Sequence, residues 1–242
     1  MSEEKIIKHS QKAVHIIAEK KTGWRHKILG LLEEIAIIIF AVSVTLALHN
    51  WNDGRNERKM EREFLTGIRS DLKNEILNLQ GGVTDLKYTV NYYNTAWKQI
   101  INRKIDSAYI DSNSGQLNTT SYFVFDNGRF ESFKSSGYLR LIENQTLLKH
   151  LTSLYMVALP FQEHADEMIY GARRENFNTY IGTKAPIDAN KVVHVSKLLN
   201  DPAVKYQIMY YGGYLQERIR QKSELIIVIK RVIAEIDKEL EK

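Results

Sequence analysis

The amino-acid sequence predicts an all-α protein, with one N-terminal transmembrane helix followed by a bundle of long antiparallel helices. Three observations predict this fold class. An apolar run of bilayer length lies near the N-terminus, and apolar residues recur at spacings of three and four over long stretches beyond it. The 242 residues also include only three prolines, and no strand-like alternation competes with the helical pattern.

The composition excludes several classes of protein. Apolar residues make up 43% of the chain and charged residues 26%, which argues against a disordered chain. The chain has no cysteine, so no disulfide framework and no thiolate chemistry are expected. The net charge is +5, but residues 1–27 contain seven Lys or Arg against three Glu. A basic tail beside a membrane segment indicates topology, so no nucleic-acid partner is predicted.

Residues 28–51 are predicted to form a transmembrane signal-anchor. Twenty-one residues, 28–48, are apolar apart from Glu33, Glu34, Ser43 and Thr45. At 1.5 Å per residue they span about 31 Å, the thickness of the bilayer's hydrocarbon core. A buried core helix and a cleaved signal peptide are the alternatives. The late start and the length of the apolar run favour an anchor in the lipid bilayer.

The distribution of basic residues predicts the orientation. Residues 1–27 are expected to be a basic cytoplasmic tail, and residues 52–242 a periplasmic helical domain, with the anchor in the bacterial inner membrane. The basic residues that precede the anchor are Lys5, Lys8, Lys12, Lys20, Lys21, Arg25 and Lys27. Those that follow it, Arg55, Arg58, Lys59 and Arg62, are interleaved with acidic residues, which contribute little to this rule.

Glu33 and Glu34 are out of place in an apolar segment. A carboxylate within lipid costs a few kcal/mol unless it is paired, protonated or covered by protein. If the hydrophobic span begins at Ile35, both residues lie at the headgroup level. Otherwise one of them, with Glu34 favoured, faces a helix–helix contact or a polar cavity.

The domain after Trp51 is predicted to begin with a helical seam from about Asn56 to Arg103 that keeps its phase through Gly81 and Gly82. Residues 106–121 are predicted to be a polar loop. A short helix, 129–134, should end at a structural turn formed by Ser135, Ser136 and Gly137, where the glycine can adopt the left-handed conformation.

Further helices are predicted towards the C-terminus. Asn144 should cap a helix that Pro160 interrupts before it resumes towards Tyr180. A short helix is expected at 190–199. Asp201 and Pro202 should begin the last helix, which runs to about residue 239 and contains the apolar segment 225–229.

No catalytic signature is present, and the chain is not predicted to be an enzyme. The sequence lacks a phosphate-binding glycine loop, a Gly-x-Ser-x-Gly nucleophile motif and zinc-ligand spacing. His164 and Glu167 lie three residues apart on a predicted helix, but no second pair exists to complete a metal site. No cofactor, metal or catalytic residue is therefore proposed.

Two blocks of the sequence form recognisable motifs. In the first, Glu34 leads an apolar helix that ends in a Trp-Asn motif, Trp51 and Asn52, followed by Arg55. The second is the segment 130–155, which contains Lys-Ser-Ser-Gly. Together they resemble an uncharacterised family of single-pass Bacteroidota membrane proteins. The resemblance covers about half of the chain and implies no established activity. Glu33, Glu34, Trp51, Asn52 and Arg55 are accordingly interpreted as membrane and interface residues.

Three functional hypotheses follow. The leading one is a non-enzymatic interaction or scaffold protein that forms a homo-oligomer or joins an envelope protein complex. The second is a periplasmic sensor that transmits a signal through the membrane. The third is a homo-oligomeric ion channel that uses Glu34.

Overall fold

The computed structural model describes the backbone of residues 3–242 and the side chains of Trp24 and residues 28–242. The chain divides into two compact units, Met1–Lys59 and Met60–Lys242. Every regular element in the described part is a helix, and the only bridge recorded there joins Ile187 and Val193. The all-α prediction is confirmed. Helix α1, Glu3–Ile101, runs through the first unit and continues into the second.

The first unit carries exposed apolar side chains along α1. From residue 28 onwards the described chain contains one helix long and apolar enough to cross a membrane, and the apolar window within it is not buried. Phe40, for example, is 71% exposed. A core helix of a soluble protein would be covered by other elements. The Thr45 hydroxyl donates to the Ala41 carbonyl oxygen at 2.8 Å, which satisfies this polar group within the helix.

The second unit is built on α1 and the last helix, α7, Pro202–Leu240, which run antiparallel. Arg62 donates to the Leu240 carbonyl oxygen at 2.7 Å, whereas farther along α1 Tyr93 faces Gly212. Asp201 caps α7 by accepting from the Ala203 N–H at 2.8 Å. The shorter helices in this unit are α2, Ser107–Ser112; α3, Gly128–Ser135; α4, Gln145–Ser153; α5, Leu159–Ala172; and α6, Thr179–Lys184.

Two wider, π-helical turns join the middle helices. Leu154–Ala158 links α4 to α5, and Arg173–Asn178 links α5 to α6. Pro160 has no N–H, and its ring would collide with the carbonyl of Met156 in a regular helix. A π-helical turn therefore lies just before Pro160, at the position where an interruption of the helix was predicted. Asn144 caps α4, as predicted, by accepting from the Leu147 N–H at 3.2 Å.

The second unit contains two apolar clusters. The first packs residues 64–79 of α1 against residues 225–236 of α7, and the second packs residues 86–100 of α1 against residues 204–215 of α7. Residues 119–127, here called the crossing segment, have no regular secondary structure and contribute Phe123 to the first cluster. The segment's backbone polar groups therefore require partners inside a helical bundle.

Two local predictions differ from the structure. The expected polar loop at 106–121 contains α2 and a 3-10 turn, Ser114–Leu117. The helix expected at 190–199 is only a 3-10 turn, Val195–Leu198. Asp106 and Asp111 explain these differences. Asp106 caps α2 through a bond from the Tyr109 N–H, and Asp111 accepts from the Ser196 N–H at 2.8 Å.

Candidate functional site

The second unit contains a groove between α1 and α3. Its volume is about 610 Å³, within the range typical of ligand sites. Residues of α1 form one wall, and residues 126–138 form the other. The groove has an apolar half and a polar half.

Aromatic rings form the apolar half. Phe64 of α1 and Phe133 of α3 stack with ring centroids 3.8 Å apart and planes 7° apart. Tyr138 meets Phe133 edge-on at 5.8 Å and is 38% exposed, and Met60 completes this end. The half-exposed ring of Tyr138 beside the buried Phe pair can cover an apolar side chain of a ligand.

The turn after α3 positions Tyr138. Helix α3 ends at Ser135, and the Ser136 hydroxyl donates to the Ser132 carbonyl oxygen at 2.8 Å. Gly137 has φ of 73°, in the left-handed region that glycine adopts without strain. The chain reverses there, which brings Tyr138 back against Phe133. Ser135, Ser136 and Gly137 thus shape one end of the groove.

An arginine lying against a glycine organises the polar half. The Nε of Arg129 donates to a carboxylate oxygen of Asp71 at 2.8 Å. A Cβ added at Gly67 would lie only 2.4 Å from the Arg129 Cζ, so the guanidinium rests against the bare α1 backbone. Any side chain at position 67 would displace it.

Carboxylates dominate this half. Glu63, Asp71 and Asp126 line the groove, and Arg129 is the one basic residue of its lining. A carboxylate oxygen of Asp126 accepts from the Gly128 N–H at 2.8 Å, which fixes the start of α3.

The negative field of these groups reaches the protein interior. Burial raises the pKa of Glu75, and the charges of Asp126 and Asp71 raise it further, against hydrogen bonds that lower it. Burial also raises the pKa of Tyr155, and the same two aspartates add to that effect. The Tyr155 side chain is buried, and its hydroxyl has no hydrogen-bond partner among the described groups.

A separate cluster of buried charges lies between the two apolar clusters. Asp166 of α5 is fully buried and accepts from Arg218 at 2.8 Å and from Lys222 at 2.5 Å. Both cations belong to α7 and are themselves buried. We call these three residues the buried charge cluster.

The cluster holds the crossing segment in place. Asp166 accepts from the Phe123 N–H at 2.9 Å, and Lys222 donates to the Ser121 carbonyl oxygen at 3.4 Å. Arg173 donates to the Thr119 carbonyl oxygen, and the Asp126 N–H donates to Glu75 at 3.2 Å. Buried side chains thus partner backbone groups that a helix would have satisfied internally. These contacts indicate a structural role.

Sequence reasoning missed both the groove and the buried charge cluster. The signal for the cluster lies in α7, where Arg218 and Lys222 occupy the spacing of three and four set by Leu215 and Leu225. Gly67 and Arg129 carry no comparable signal, since their contact depends on how α3 packs on α1.

The predicted membrane and interface residues lie apart from this groove in the chain. Glu33, Glu34, Trp51, Asn52 and Arg55 all belong to α1 in the first unit, and all are exposed. His164 and Glu167 lie 3.9 Å apart on α5, with side chains 68% and 77% exposed. Within residues 28–242, no group of three or more His, Asp or Glu is placed to hold a metal ion.

Comparison with known proteins places the chain in a family. No curated protein and no solved structure matches it. Residues 34–168 match the model of a family of unknown function, DUF6090. The match begins at Glu34 and includes Trp51, Asn52, Arg55, the segment 130–155 and every residue that lines the groove. Because the match extends over more than half of the 242 residues, the chain belongs to the DUF6090 family of unknown function.

Proposed function

We propose that this protein is a non-enzymatic, membrane-anchored helical interaction protein of the bacterial envelope, which self-associates or serves as an accessory subunit of a membrane complex. The observation that carries the proposal is the exposed apolar segment of α1. Exposed apolar side chains over the length of a bilayer are costly in water and favourable in lipid.

The second unit supports an interaction role. Its two apolar clusters provide a core of its own, and the groove offers a binding surface of ligand size. The groove lining contains neither histidine nor cysteine, and of its two serines, Ser132 and Ser136, the second has its hydroxyl bonded to backbone. Arg129 and Asp71 are bonded to each other. This lining suits recognition better than nucleophilic catalysis.

Native mass spectrometry of the full-length protein, gently extracted in detergent, tests the proposal. A defined homo-oligomer would support self-association and would make Glu34→Gln the next variant for an ion-flux assay in liposomes. A monomer with a stoichiometric second protein would support an accessory subunit. A monomer alone, with no cross-linked species when intact membranes are treated before extraction, would contradict both forms of the proposal.

A further inference from the structure

We propose that the groove between α1 and α3 binds an extended segment of a partner protein in which a lysine or arginine lies close to an aromatic or large apolar residue. This inference rests on the proposed interaction function and names the chemistry of the partner.

The charge of the groove favours a cation. Three carboxylates and one guanidinium line it, and that guanidinium is bonded to Asp71 at 2.8 Å. An incoming anion would have to displace Asp71 from Arg129 and approach the carboxylate of Asp126, which repels it. An incoming Lys or Arg meets the carboxylate of Asp126, whose one recorded bond is from a backbone N–H.

The apolar half requires a second feature in the ligand. Tyr138 and Met60 line this half together with Phe64 and Phe133, so a ring or aliphatic side chain placed there loses its contact with water. A lone ammonium or guanidinium ion would leave this half empty. The ligand is therefore amphipathic.

The spacing of the halves favours an extended peptide. Phe64 and Asp71 are separated by seven residues of helix, or about 10 Å at 1.5 Å per residue. In an extended chain, side chains at positions i and i+2 project to the same side about 7 Å apart, and their flexible ends cover the remaining distance. The cavity of about 610 Å³ holds a few side chains, which suits a short segment.

The test uses the full-length protein in phosphatidylcholine nanodiscs and a fluorescein-labelled peptide, Gly-Phe-Ala-Arg-Gly, titrated by fluorescence anisotropy. A matched peptide carries citrulline, which keeps the shape of arginine without its charge. We expect the arginine peptide to bind about five- to tenfold more tightly, as one desolvated charge pair contributes. Asp126→Asn should weaken binding by a similar factor, because the negative charge is lost. The amide oxygen of the asparagine can still accept from the Gly128 N–H, so the start of α3 is kept.

A second variant tests the arrangement of the polar half. Gly67→Ala should weaken binding of the arginine peptide, because the added Cβ pushes the Arg129 guanidinium away from α1. Two control variants make the same two kinds of substitution, Gly to Ala and Asp to Asn, at positions outside the groove. Gly81→Ala places a Cβ on the same helix with no atom within 4 Å. Asp106→Asn removes the charge of another aspartate that caps a helix, outside the groove. Both controls should leave the affinity unchanged.

Several results would overturn the inference: no binding of the arginine peptide, equal affinity for the citrulline peptide, or no effect of Asp126→Asn. Displacement of the peptide by phosphatidylethanolamine added to the nanodiscs would assign the groove to a lipid headgroup and would also overturn it. If the peptide results are negative but native mass spectrometry still finds an oligomer or a bound partner, the proposed interaction function is retained and uses a surface other than the groove. The two failures are therefore distinguishable.

Discussion

At the scale of single residues, the buried charge cluster is the feature most sensitive to substitution. Arg218 and Lys222 have only Asp166 as a carboxylate partner in the described ion pairs. Burial lowers the pKa of Lys222, and the Asp166 carboxylate counteracts this effect. The aspartate therefore compensates two buried cations and also fixes the backbone of the crossing segment at Phe123.

Asp166→Asn should destabilise the protein by about 3–5 kcal/mol, because it leaves two buried cations without a counter-charge. The amide oxygen can still accept from Phe123, but the amide nitrogen then faces Arg218, so the loss reports both the charge and the acceptor of the Arg218 hydrogen bonds. Chemical unfolding in detergent micelles, followed by circular dichroism, measures it. Asp237→Asn is the matched control, because it breaks a half-exposed ion pair with Arg69 and should cost at most about 1 kcal/mol. Equal losses in the two variants would contradict the role of burial.

Removal of the charge of Glu75 should stabilise the protein, which is the opposite of the effect expected at Asp166. Burial and the neighbouring aspartates raise the pKa of Glu75, so the ionised form of this residue disfavours the folded state. The penalty is absent below the unfolded pKa of a glutamate, about 4.3, where Glu75 is protonated in both states. Glu75→Gln keeps an oxygen to accept from the Asp126 N–H and removes the charge. We expect the variant to be more stable than the wild type at pH 7, with the difference vanishing below about pH 4. Unfolding midpoints across this range check it, and a pH-independent difference would contradict it.

At the scale of elements, two adjacent glycines of α1 differ in their contact with the crossing segment. Gly81 and Gly82 are adjacent in sequence, but a Cβ at position 81 meets nothing within 4 Å. A Cβ at position 82 would lie 2.7 Å from the Ser121 hydroxyl oxygen. Of this pair, only Gly82 therefore lies in close contact with the crossing segment.

This asymmetry predicts opposite effects of the same substitution. Gly81→Ala should stabilise the protein by about 0.5–1 kcal/mol, the difference in helix propensity. Gly82→Ala gains the same propensity but must displace Ser121, so it should be less stable than Gly81→Ala by at least about 1 kcal/mol. Thermal or chemical unfolding of the two variants side by side measures the difference. Equal stabilities would contradict this prediction, because they would show that the crossing segment moves away from the added Cβ without cost.

At the scale of the whole molecule, the exposed apolar segment of α1 is interpreted as a membrane anchor with its N-terminus inside. Because the chain has no cysteine, a single introduced cysteine reports its own side of the membrane. Ser10→Cys should be protected from a membrane-impermeant maleimide in intact spheroplasts, whereas Ser112→Cys, at an exposed position, should react. The reverse pattern would contradict the orientation and leave the anchor itself in place. Labelling of both sites would contradict the anchor.

Local patterns were sufficient for much of the fold. The all-α class, the caps at Asn144 and Asp201 and the uninterrupted helix through Gly81 and Gly82 follow from periodicity and capping chemistry. Such features depend on residues within one or two turns of each other. Helix α2 was missed although its cap, Asp106, is local in sequence, whereas the 3-10 turn at Val195–Leu198 depends on Asp111, 85 positions away.

By itself, the sequence determined the long helices, the caps at Asn144 and Asp201, the apolar segment of bilayer length and the turn at Ser135, Ser136 and Gly137, because each depends on neighbouring residues. Only the tertiary structure decided that Arg129 rests on Gly67 and that Asp166 joins Arg218 and Lys222. These contacts join residues more than fifty positions apart. Local chemistry places a residue on a helix, but the packing of one helix on another determines which side chain or backbone it meets.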